Sequence, residues 1–156
     1  MSTVIGVFDN QRNAENAVDE IRDAGITDDN ISIIAKEDQI QHEGGRGNND
    51  DLADGAATGG AIGGLAGILA GAGALTIPGV GPIIAAGPLA AGLTGIAAGG
   101  LAGTLVDMGI DEERGQHYEK EVEQGNILAT VEVNQGQADD VASYLRSNGA
   151  REVETH

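Results

Sequence analysis

The residue types that could do chemistry are few, and their spacing decides little in favour of catalysis. His117 lies one helical turn from Glu113 and from Glu121, a spacing that could hold a divalent ion, although on a charged helix such a histidine is usually solvated. Asp50, Leu52, Asp54 and Gly55 resemble part of a calcium loop, but the third position is Leu52 and the twelfth would be Ala61, where a bidentate acid is required. An acidic solvated linker is the simpler reading. Ser2, Ser32, Ser143 and Ser147 show no nucleophile-elbow context. No lysine lies between Lys36 and Lys120, so the phosphate-cradling GxxxxGK[ST] pattern is absent. Gly71-Ala72-Gly73-Ala74-Leu75-Thr76 lacks the third glycine of the dinucleotide fingerprint. Cysteine is absent, which removes thiolate metal sites, disulfides and a cysteine nucleophile. The expectation is a non-enzymatic protein with no catalytic residue, no cofactor and no metal.

Composition narrows the partners. The chain of 156 residues carries 25 Asp and Glu against 8 Lys and Arg, a formal charge of -17. That balance repels phosphate backbones and anionic headgroups, so nucleic acid is excluded as a partner and an electrostatic membrane dock with it. The charges are spread along the chain rather than run together, which fits a salt-adapted cytoplasm better than cation storage. Phe and Tyr number three in all and Trp is absent, too little for a pocket built on ring stacking.

The composition breaks at two points. From Gly55 to Val106 there is no charged residue and no histidine, and this window holds 16 of the 26 glycines and all three prolines. Pro78, Gly79, Gly81 and Pro82 punctuate its middle, where proline cannot continue a helix, and predict a hairpin turn. On either side, Gly55 to Ile77 and Ile83 to Val106 are long enough for two helical arms. Gly55, Gly59, Gly63, Gly67 and Gly71 recur every four residues, and Gly87, Ala91, Gly95, Gly99 and Gly103 keep the same beat. Small residues in such register give a smooth strip that lets backbones approach, so these ten positions are the expected helix-packing and oligomerisation residues. Glycine costs a helix about 0.8 to 1 kcal/mol per interior position, so such arms need a partner. That partner environment is either identical hairpins in an assembly or a bilayer. Length and absence of charge favour the bilayer, while the modest hydrophobicity and the acids crowding both flanks oppose it.

The flanks resemble two copies of one unit. Asn10 to Gly25 aligns without gaps on Asn134 to Gly149, sharing Asn, Gln, Ala, Arg and Gly. Ala14, Ala17, Val18 and Ile21, and again Ala138, Val141, Ala142 and Leu145, follow the spacing of one helical face. Gly25 and Gly149 are expected C-terminal stops. Apolar runs Thr3–Phe8 and Ile127–Val133 precede the helices, the latter alternating as a half-buried strand, and Asn30–Ala35 and Arg151–Thr155 follow them. The expected fold is therefore α+β: a ferredoxin-like βαβ-βαβ sandwich, a four-stranded antiparallel sheet with helices on one face, carrying an inserted Gly-rich helical hairpin. The expected boundaries are 1–35 for the first half of this head, 36–54 for an acidic flexible tether, 55–106 for the glycine-zipper hairpin, and 107–156 for a connecting helix and the second half. Because the halves would contain their own core, the head is expected to fold without 55–106.

The run Val4-Ile5-Gly6-Val7-Phe8, the stretch Gly81-Pro82-Ile83-Ile84-Ala85-Ala86-Gly87-Pro88-Leu89 and Gly109-Ile110-Asp111-Glu112-Glu113 leading to Tyr118-Glu119 resemble the prokaryotic general stress proteins. These are heat-induced or low-temperature-induced stress proteins with a glycine-rich hydrophobic insert. The resemblance spans nearly the whole chain and implies a stress-response protein with no catalytic residues to carry over. The leading expectation is a homo-oligomer whose glycine-zipper hairpins pack together beneath acidic heads. A membrane-inserted hairpin, acting as anchor or pore element, is the alternative, and a ligand-sensing regulatory module rests on fold analogy alone. The expected partner is a second copy of the chain, with a lipid bilayer as the other candidate. The expected location is the cytoplasm, with membrane association through residues 55–106 if the hairpin inserts.

Overall fold

The computed structural model describes residues 1–39, 73–77, 80–93 and 100–156. In chain order the elements are β1 (Ser2–Phe8), α1 (Gln11–Asp23), β2 (Ile31–Lys36), β3 (Gly73–Ile77), β4 (Gly81–Ala86), α2 (Pro88–Leu93), α3 (Gly100–Asp107), α4 (Glu112–Glu123), β5 (Ile127–Val133), α5 (Gln135–Ser147) and β6 (Glu152–Thr155). The strands form one sheet in the order β3-β4-β2-β5-β1-β6, and every neighbouring pair is antiparallel. The protein is thus α+β with an antiparallel sheet.

The flanking units fold where their periodicity places them. Ala14, Ala17, Val18 and Ile21 are the buried residues of α1, and Ala138, Val141, Ala142 and Leu145 those of α5. The carboxamide oxygen of Asn10 accepts a hydrogen bond from the Asn13 amide at 2.9 Å, satisfying a donor that the first turn of α1 leaves free. Gly25 and Gly149, at φ 91° and 90°, close the two helices in the left-handed region. Gly6 on β1 lets α5 approach, since a methyl there would come within 3.2 Å of the Leu145 side chain.

Three expectations are corrected. The sheet has six strands rather than four, because the uncharged window contributes β3 and β4. The helices also lie on both faces of the sheet. On one, α1 and α5 pack over Val4, Phe8, Ile33, Ala129 and Val131. On the other, residues of α2, α3 and α4 cover Ile5, Val7, Ile34 and Leu128. β5 is therefore not half-wet: Leu128 and Thr130 are as buried as Ile127 and Ala129, and the pattern that alternates in sequence is buried on both sides.

The third correction concerns the helical arms. Over the described part of the window, residues 73–77 and 81–86 pair as a β-hairpin with Ile77 opposite Gly81 and Gly73 opposite Ala85. Residues 83–106 are not one helix but a strand followed by α2 and α3. The chain reverses between Ile77 and Gly81, with the Val80 amide donating to the Ile77 carbonyl at 3.1 Å, while Pro78 and Gly79 of the expected turn lie outside the described residues. The flanking elements were not legible, because a run of Ala, Ile, Leu and Gly carries no polar partner positions to reveal a period of two or of 3.6. Residues 55–72, the greater part of the first arm, and 40–54 of the tether lie outside the described residues, and Lys36 is the last residue of β2.

Candidate functional site

Of the ten expected packing positions, Gly55, Gly59, Gly63, Gly67, Gly71, Gly95 and Gly99 lie outside the described residues, as do Pro78 and Gly79 of the turn. Gly81 opens β4 and Pro82 stands opposite Thr76 in the register. Gly87 joins β4 to α2 at φ 86°, pressed against the backbone of β2. Ala91 is an exposed residue of α2. Gly103 lies in α3, with no atom of the described residues within 4 Å of where a Cβ would point. Gly87, Ala91 and Gly103 are therefore spread over a loop and two separate helices, not one strip.

Close backbone approach is used within the chain at other glycines. A methyl at Gly92 in α2 would come within 2.8 Å of the Thr104 side chain of α3, and one at Gly115 in α4 within 3.0 Å of the Ala102 carbonyl oxygen of α3. The Glu119 carboxylate of α4 then reaches the start of α3, accepting from the Ala102 amide at 2.9 Å. Between α3 and α4 opens a groove of about 680 Å³, with Ala102, Gly103 and Val106 on one side and Glu119, Lys120 and Glu123 on the other. Val106 is 41% exposed there.

The second cluster of polar side chains ties α4 to the end strand β6. Glu152 and Glu154 alternate along β6 and so share one face of it. Arg114 pairs with both carboxylates, its Nε donating to Glu154 Oε2 at 2.8 Å. One turn on, the fully buried Tyr118 donates its hydroxyl to the same oxygen at 2.8 Å, and the Arg114 guanidinium carbon lies 5.1 Å from the centre of the Tyr118 ring. Nε2 of His117 sits 2.8 Å from Glu152 Oε2 and 3.9 Å from Glu121 Oε1. His156 Nε2 lies 3.2 Å from Glu154 Oε2 without hydrogen-bond alignment. Glu121, itself buried, accepts from Asn126 Nδ2 at 2.7 Å and faces Arg151 Nη1 at 3.6 Å. Arg151 in turn pairs with Asp9 at 2.9 Å.

The electrostatics follow from these contacts. Burial pushes the Glu152 carboxyl up, but the hydrogen bonds from His117 and Arg114 outweigh it and hold the group below the usual range. Burial pushes the Tyr118 hydroxyl well above its ordinary value, with the Glu154 carboxylate adding to the shift and Arg114 opposing it. The cluster is a clamp of fixed charges, with no nucleophile and no hydroxyl made acidic. His117 turns to Glu152 across the α4–β6 contact, and among the described residues no group of three or more His, Cys, Asp or Glu is placed to hold a metal ion. Sequence reading missed this clamp. Its signal was present as Arg114 and Tyr118 at i, i+4 and two alternating acids on a short strand, yet pairing across 38 and 40 residues is invisible to local spacing.

What the fold and these sites define is an α+β protein with a helix-covered antiparallel sheet, an ion-clamped end strand and, at the other end, an uncharged hairpin. Residues 3–77 match the model of the heat induced stress protein YflT domain. No curated protein and no solved structure matches the chain. The match over residues 3–77 bears out the resemblance to general stress proteins and supports a role in stress response. That family is not a known enzyme family. No helix among the described residues is long and apolar enough to cross a membrane.

Proposed function

We propose that this chain is a non-enzymatic stress-response protein that acts as a homo-oligomer, its copies meeting through the uncharged segment 55–106 while the acidic remainder stays solvated. The observation that carries this reading is the partition of charge. A chain of net charge -17 repels its own copies wherever its acids are displayed, and the window from Gly55 to Val106 has none. The four strands outside the window, in the order β6-β1-β5-β2 with α1 and α5 on one face, support a ferredoxin-like head built from 1–35 and 107–156. The described part of the window lies on that head, extending its sheet through β4 and filling its second face. A glycine-zipper contact between copies rests on the four-residue beat of the first arm alone, Gly55, Gly59, Gly63, Gly67 and Gly71.

The test is purification without detergent in high salt, followed by light scattering on a sizing column with the membrane fraction blotted alongside. A discrete multimer free of membranes is the expected result. A monomer at every concentration overturns the reading. Recovery only from membranes that resist alkaline carbonate replaces it with an inserted segment acting as anchor or pore element.

A further inference from the structure

We propose that β3 is a self-pairing edge: it adds antiparallel to β3 of a second copy, so that two six-stranded sheets join into one. The inference rests on the reading that copies assemble through the uncharged window, and it names the contact that joins them.

The two ends of the sheet are treated differently. β6 is four residues long, carries Glu152 and Glu154, and is held to α4 by Arg114, His117 and Tyr118. Short length and charge are the devices that keep an edge from pairing with another chain. β3, at the opposite end, has five residues, Gly73-Ala74-Leu75-Thr76-Ile77, with no charge and no proline. Among the described residues its ladder partner is β4 alone. Alternate residues of such an end strand turn their amide and carbonyl groups away from the sheet, a template for one further strand.

The charge distribution selects a second copy as that strand. Two chains of -17 approach at least cost where the contacting segments carry no acid of their own, and β3 is an uncharged strand inside an uncharged stretch of 52 residues. A foreign basic partner would be drawn to the acidic faces instead. The strand is also self-complementary about its middle. An isologous two-fold pairing sets Leu75 opposite its own counterpart and Gly73 opposite Ile77, so that the small end residue meets the larger one. Leu75 is half-buried against the core formed by Ile77, Val80 and Ile83. Pairing would cover its exposed half and make the two cores continuous across the junction.

The experiment uses the full chain at about 1 M salt, where the Debye length is roughly 3 Å and acidic repulsion is screened. Mass is followed by light scattering through a dilution series for the wild type, Thr76→Val, Thr76→Asp and Val106→Asp. Thr76 is exposed, so these changes leave the core intact, and circular dichroism verifies the fold. The expected result is a wild-type mass that halves on dilution, an unchanged dissociation constant for Thr76→Val and Val106→Asp, and at least tenfold weaker association for Thr76→Asp. Amides of residues 73–77 should exchange more slowly as concentration rises. Association unaffected by Thr76→Asp, or lost in Val106→Asp instead, overturns the β3 contact and leaves assembly through another part of the window standing. A wild type that is monomeric throughout overturns both.

Discussion

A methyl group at Gly87 would stand 2.1 Å from the carbonyl oxygen of Ile31, closer than any side chain can be accommodated. The glycine has φ 86° and joins β4 to α2, and on the same stretch of β2 Ser32 Oγ accepts from the Leu89 amide at 3.1 Å, satisfying the start of α2. These contacts fasten the uncharged window to the head. Gly87→Ala should therefore cost on the order of 3 kcal/mol, from backbone strain and from displacement of β2 together. Gly81 is the internal control: its φ is 94° but no atom of the described residues lies within 4 Å of where its Cβ would stand, so Gly81→Ala should lose only the left-handed penalty of about 1 to 2 kcal/mol. Urea unfolding of the two variants measures the difference, and equal losses would refute the close contact at Gly87.

The contrast between these two glycines explains how much of the fold could be read in advance. α1 and α5 were legible because polar residues interrupt their apolar ones with a helical period, and β1, β2, β5 and β6 because turn residues bound short runs. Within the window the four-residue glycine beat fits a helix, yet Gly87 on that beat is a strand-to-helix junction and Gly103 faces a groove. Glycine serves turns, left-handed backbone and close packing alike, and spacing does not separate these uses. The clamp was hidden for a different reason. Arg114 and His117 have nearby acids on their own helix, and only the return of β6 beside β1 substitutes Glu152 and Glu154 for water.

Glu152 gives the clamp a pH dependence whose sign is fixed. Its carboxyl is held below the ordinary value of 4.5 in the folded chain, so the stabilisation is present above that value and is lost as the pH falls through the lowered one. Thermal melts from pH 6 downward should show a decline below about pH 4.5 that Glu152→Gln flattens. Because Glu152 and Arg114 are each about a third exposed, the effect is modest, about 1 kcal/mol after screening. Arg114→Met should act more locally, raising hydrogen exchange at the Thr3 and His156 amides that bond β1 to the end of β6. Unchanged protection there would mean that the backbone ladder holds β6 without the clamp.

Tyr118 offers an optical reading of the same cluster. Burial and Glu154 raise its hydroxyl far above the ordinary 10.0, so it should stay protonated while the chain is folded. In Tyr144→Phe it is the one tyrosine left, and its phenolate absorbance should rise only with unfolding at high pH. A reversible titration near pH 10 with the near-ultraviolet dichroism of the fold intact would contradict its burial.

Thr130 is buried on β5 at 1% exposure, and its hydroxyl has no hydrogen-bond partner among the described residues. An unsatisfied buried hydroxyl costs about 1 to 3 kcal/mol, and valine has nearly the same shape without that cost. Thr130→Val should raise stability by about 1 kcal/mol, read as a higher midpoint in urea at unchanged slope. A loss of stability would reveal a partner for the hydroxyl.

The sheet's second face decides what happens when residues 55–106 are removed. Periodicity alone gives the head its own core and predicts that it survives the deletion. In the folded chain that core is only half of the apolar interior. Ile83, Ala85, Leu89, Leu93, Leu101 and Leu105, all within the deleted window, pack in one cluster with Ile5, Val7, Ile34 and Leu128 of the head. Tyr118 and Val122 of α4 would remain over part of that face, and the core beneath α1 and α5 would be untouched. The deleted chain should therefore keep its far-ultraviolet sheet and helix signal, because β1, β2, β5 and β6 retain their ladder. It should also bind ANS and unfold over a broad range, because the second face has lost its cover. A sharp melt at the full-length midpoint without dye binding would show that α4 alone closes the face, and that the window is a passenger on the head rather than its second layer.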